Sequence, residues 1–186
     1  MPALSLPAPA HISAQIPRNT AHLLRGLVVT LAVFLAVLLA IILTRPAWAA
    51  GLDKRIGWEV HQTDKSYAAL LRDVLAAVKA EGLSVVTQAG PTRGAAARGI
   101  TIPGNRVIGV FNNDYALRVL ALSTAAMIEA PIRLYVTEGG DGTASLSYKK
   151  PSHVFTPYLN EGGTQLMQIA AELDQRFAAI ARAARD

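Results

Sequence analysis

The sequence predicts an α+β domain, an antiparallel sheet with helices packed on one face and a hydrophobic helix ahead of it. Three observations predict it. Segments with strand-like alternation and segments with helical period follow one another as β-α-β-β-α-β-β-α. Most strands come in hairpin-like pairs. One pair, "IRLYVTE" and "TASLSYK" on either side of "GGDG", is the clearest hairpin in the chain.

Each element has its own argument. Residues 56–63, "IGWEVHQT", alternate as a first strand, with Trp58 and Val60 on one face and Glu59 and His61 on the other. Ser66 suits a helix N-cap. After it Tyr67, Leu70, Leu71, Val74, Leu75 and Val78 recur at the spacing of one helical face. Gly82 is placed to end that helix. "LSVVTQA" (83–89) is a second strand and "GPTRGAAARGITIPGN" a loop with one helical turn near Ala95–Ala97. "RVIGVF" (106–111) is a third strand. A second helix starts at Asn113 or Asp114, continues or restarts through "STAAMIEA", and stops at Pro131. In the hairpin, Ile132, Leu134 and Val136 face the core, matched by Ala144, Leu146 and Tyr148. "KPSHVFTPYLNEGG" is expected to be a loop, and a last helix runs from about Thr164 to Ala184.

The 186 residues, 52% of them hydrophobic, suffice for one domain of roughly 100–150 residues plus a leader. Residues 27–43, "LVVTLAVFLAVLLAIIL", follow Arg18 and Arg25 and precede Ala47-Trp48-Ala49. A basic flank, an apolar stretch and an A-x-A site are the order of a secretory signal. The stretch also approaches the length of a spanning helix. The expected division is therefore 1–49, a signal peptide or signal anchor, and 50–186, a single exported domain. The domain faces a bacterial periplasm, either released after cleavage following Ala49 or held in the inner membrane by residues 27–43.

The net charge of +5 is largely the leader's. All 13 acids lie at or after Asp53, and beyond Ala50 fifteen basic residues face them, a net of +2. These charges are interleaved, so nucleic acid is not an expected partner. The absence of cysteine removes disulfides, thiolate nucleophiles and Cys-bound metals. No phosphate-loop, dinucleotide, zincin or nucleophile-elbow pattern occurs. No catalytic residue, metal ligand set or cofactor is predicted, and the chain reads as a binding module rather than an enzyme.

Four residues stand out as ligand-binding candidates. Asn112 ends an apolar strand ahead of Asn113 and Asp114, which themselves suit a helix start. Tyr148 points into the core with a hydroxyl to satisfy. Arg133, with Tyr135, lies on the opposite face of the hairpin. His153 sits in a proline-flanked segment. His61 and His153 also support the alternative of a metal- or haem-binding redox accessory protein, although a metal site takes three or four ligands.

"RVIGVFNND", "EAPIRLYVTEGGDGTASLSYKKPSHVF" and, upstream, "SYAALLRDVLAAVKAEGLSVVTQ" resemble the bacterial "domain of unknown function 302" family over about residues 56–184. The features are Val107 to Asn112, Ala130-Pro131, Glu138 to Gly142, Tyr148 and Pro151. The resemblance implies a β-α-β4-α fold, TBP-like in shape, and gives Asn112 a place in the family's pattern. Some members carry a cysteine just before that Asn. Phe111 stands there in this chain, so a role resting on that thiol does not carry over. The function expected is a periplasm-facing binding or accessory module for a small ligand or a protein partner. A second copy of the chain and a membrane complex are the protein partners considered.

Overall fold

The computed structural model describes residues 18–43 and 52–186. The chain divides into two units, with the boundary between Arg45 and Pro46. In the first, Arg18–Leu43 is a helix, α1, and the side chains of residues 27–39 are exposed. Among the described residues no helix is long and apolar enough to cross a membrane. The expected cleavage site at Ala47–Ala49 lies outside the described residues.

The second unit is the predicted α+β architecture. Its strands are β1 (Trp58–Ser66), β2 (Ser84–Ala89), β3 (Asn105–Phe111), β4 (Ile132–Glu138) and β5 (Thr143–Lys149). They form one sheet in the order β1-β5-β4-β3-β2, antiparallel at every pairing. The helix α2 (Tyr67–Ala80) and the long helix α6 (Leu159–Arg185) pack against each other on one face. Between sheet and helices lies the core. Leu134, Val136, Leu146, Leu70, Val74, Val78, Leu166, Phe177 and Ile180 are all fully buried there. Removing such side chains from water stabilises by about 1.5–3 kcal/mol each.

Local rules account for the elements that match expectation. Ser66 caps α2, its hydroxyl accepting the Ala69 N–H, and Gly82 follows with φ +73°. The hairpin pairs Leu134 with Tyr148 and Val136 with Leu146, placing the three apolar residues of each strand on the helix side. The helical turn in the Gly/Ala-rich loop is α3 (Thr92–Ala96).

Two expectations are corrected here. "KPSHVFTPY" is not a loop: Pro151–Phe155 forms α5 and Thr156–Tyr158 a 3₁₀ turn. Proline lacks the N–H that a first helical residue cannot satisfy. The next N–H, of Ser152, is accepted by Asp174 Oδ1 at 2.9 Å, so α5 is capped from α6. α6 itself begins before Thr164, and its first residues are separated from the regular run at Gly163 (φ 54°, ψ −146°). The second helix takes the restarting of its two expected forms. α4 covers only Asn113–Leu120, and Ala125–Glu129 restarts as a 3₁₀ turn capped by Ser123, whose Oγ accepts the Ala126 N–H at 3.0 Å.

β1 begins at Trp58 rather than Ile56. Gly57 has φ +74°, and a Cβ there would lie 2.1 Å from the His153 ring. Only glycine combines that backbone with that approach. Alternation along β1 does not say which pair faces the helices; register does. Glu59 pairs with Tyr148 and His61 with Leu146, so the polar pair lies on the helix side. Trp58 and Val60 take the open side, opposite Lys149 and Ser147.

Candidate functional site

The sheet's open face follows from the same registers. At one level Trp58, Lys149, Arg133 and Gly109 succeed one another across β1, β5, β4 and β3. At the next level come Val60, Ser147, Tyr135 and Val107. Trp58, Lys149, Arg133, Tyr135, Val107 and Asn105 line a groove of about 410 Å³, with Glu129 and Val154 also in its lining. The groove joins aromatic surface to positive charge. Arg55 and Lys149 approach the Trp58 ring to 5.6 and 5.7 Å. Asn105 donates to the Tyr135 hydroxyl at 2.6 Å, fixing that ring in the wall. Among the described residues the ion pairs are Lys65–Asp73, Arg72–Asp73, Arg118–Glu172 and Arg176–Glu81, so Arg133 and Lys149 hold no carboxylate.

The four candidates do not converge on one point. Arg133 is exposed in the groove. Tyr148 is 3% exposed, its ring turned to the helix side 5.4 Å from that of Phe177. Burial pushes its hydroxyl up to about 12, with Glu59 and Asp174 adding to the shift. His153 is exposed on α5 against Gly57, beside the groove-lining Val154. Asn112 lies elsewhere, at an apolar slot of about 40 Å³ between sheet, α4 and α6. It is the N-cap of α4, a role the sequence gives to its neighbours. Its Oδ1 accepts the Asp114 and Tyr115 N–H groups at 2.9 and 3.2 Å, and its amide donates to the Gly82 carbonyl at 3.1 Å. Both ends of the side chain are engaged in holding the fold.

On the helix side, α6 and β1 border a second concavity of about 440 Å³, lined by Glu59, His61, Lys150, Asp174, Arg182 and Arg185 together with Tyr148. Burial pulls His61 below the ordinary histidine value, and Arg185 adds to the effect. Among the described residues no group of three or more His, Cys, Asp or Glu is arranged to hold a metal ion. Sequence reasoning missed Trp58 and Lys149 in the groove and Glu59 in the cleft. Their alternation was visible, but which face each one joined depends on β1 pairing with the distant strand β5, Trp58 opposite Lys149 and Glu59 opposite Tyr148.

Residues 58–184 match the family described as domain of unknown function DUF302. The chain belongs to the DUF302 family. The fold agrees: a crystal structure of an uncharacterized conserved DUF302 protein from Bacillus stearothermophilus superposes with a TM-score of 0.62 at 22% identity, covering 70% of this chain and 100% of that one. No curated protein matches the chain. In this DUF302 domain the strand-end Asn112 is a helix cap that also ties α4 to the end of α2.

Proposed function

We propose that this is a periplasm-facing binding module that holds a small anionic ligand on the open face of its sheet. One observation carries the reading: Arg133 and Lys149, with no carboxylate partner, share a groove with Trp58 and Tyr135. Exposed cations beside aromatic walls attract an anionic group and give its apolar part a surface to leave water for. The export of the domain is read from the leader, residues 27–43 and the A-x-A site.

The test is mass spectrometry of the protein purified from its own host's envelope, under native and then denaturing conditions. A retained mass in the wild type that is absent from Arg133→Ala supports the groove. No retained mass in either, or the same mass in both, counts against it. The denatured mass also reports the leader: a chain beginning at Ala50 is a cleaved periplasmic domain, and a full-length chain is an anchored one. A start elsewhere in the folded domain would contradict both.

A further inference from the structure

The cleft between β1 and α6 contains charges of both signs, and several of them form no ion pair within contact distance. Glu59, Lys150 and Arg182 line the same 440 Å³ concavity, yet none of them belongs to an ion pair among the described residues. Arg185 spends one N–H on the Ala181 carbonyl within its own helix and also pairs with no carboxylate. Asp174, the other acid, is held by the Ser152 N–H. His61 Nε2 is buried in the lining and has no hydrogen-bond partner. A buried polar atom left without a partner costs free energy, and in a native protein it calls for an occupant or a water.

Part of this has a structural explanation. Arg182 and Arg185 suit the C-terminal end of α6, where the helix dipole favours cations. That does not explain Lys150, which lies at the junction of β5 and α5, nor the unpaired Glu59 across the cleft. A purely anionic ligand would satisfy the cations and be repelled by Glu59. A purely cationic one would meet the reverse. A molecule carrying both charges a few ångströms apart satisfies both sets, and the volume lies within the usual range for small-molecule sites.

We infer that the β1–α6 cleft is a binding site for a free amino acid, its α-carboxylate on Lys150 and Arg182 and its α-ammonium on Glu59. His61 Nε2 then gains the partner it lacks. The site is separate from the groove on the open face of the sheet and does not depend on it.

The experiment is isothermal titration calorimetry of the full chain with each of the twenty common amino acids, then with the N-acetyl and the methyl-ester forms of any that bind. The expected result is that at least one free amino acid binds and that capping either charge weakens it by tenfold or more. Glu59→Gln should weaken the free amino acid while leaving the N-acetyl form unchanged. Arg182→Ala should do the same with respect to the methyl ester. Circular dichroism checks that each variant is folded. The wild-type comparison of free and capped forms stands without them. The proposal is overturned if no amino acid binds at millimolar concentration. It is equally overturned if the N-acetyl form, acetate or inorganic phosphate binds as well as the free amino acid and that binding is lost in Arg182→Ala, which would make the cleft a simple anion site.

Discussion

The two faces of β4 and β5 are made by the same strands, one residue apart, and have opposite chemistry. Leu134 is fully buried beneath α2 and α6; Arg133, its neighbour, is exposed on the other side. A sheet covered on one side only must put its folding free energy into that side. The other side is then released from packing and can carry charge and aromatic surface at little cost to the fold. What the comparison teaches is a division of labour that substitutions can break.

The largest effect should come from the covered face. Leu134→Ala removes a fully buried side chain and leaves a cavity, and should destabilise by about 2–5 kcal/mol, read as a lower urea midpoint. Arg133→Ala, one residue away, should leave that midpoint where it is. Equal losses at the two positions would mean that the open face is packed after all. A smaller effect is expected at Asn112. Removing its amide leaves the Asp114 and Tyr115 N–H groups without their acceptor, and Asn112→Ala should cost about 1–2 kcal/mol on the same scale. A midpoint unchanged by that substitution would remove the cap from its structural role.

The smallest effect concerns pH and sharpens the comparison at His61, a polar residue on the covered face. Its folded-state affinity for a proton lies below the ordinary histidine value because of burial and Arg185. Between that depressed value and about 6.5, the ordinary value, the unfolded chain binds more protons than the folded one. Stability should therefore decline as pH falls through this window and be fully present above it. His61→Gln should flatten that part of the profile, compared by urea midpoints at several pH values. Parallel profiles for variant and wild type would show that the imidazole is as free to charge in the fold as out of it.

How much of this was legible in the sequence follows from the range of the interactions involved. The hairpin at 132–149 could be read to the residue, because "GGDG" and strict alternation are local signals. So could Ser66 and the stripe of α2. α5 could not. Its segment contains two prolines and no cap of its own, and the acceptor for its first free N–H is Asp174, on another helix. The face of Trp58 was hidden for the same reason, since only pairing with β5 decides it. The candidate residues fared according to how local their roles are. Arg133 followed from alternation and lies in the groove. Asn112 was singled out correctly as a special position, and its hydrogen bonds show it to be a cap. Glu59 was visible only as the neighbour of His61 on one strand face, a pair too few for a metal site, and its place in the cleft becomes informative only when the cations around it are known.

Lys65 makes a last point about order in time. Its ammonium reaches both Asp73 and the carbonyl of Ala184, 119 positions further along the chain, and the strand it ends has β5 as its sole neighbour in the sheet. The first strand of the domain therefore has nothing to pair with in the sheet until β5, which ends at Lys149, has been synthesised. Such distant closures slow folding and keep the early part of a chain extended. That edge of the sheet therefore waits for β5, and Lys65 finds its second partner only with the last turn of α6.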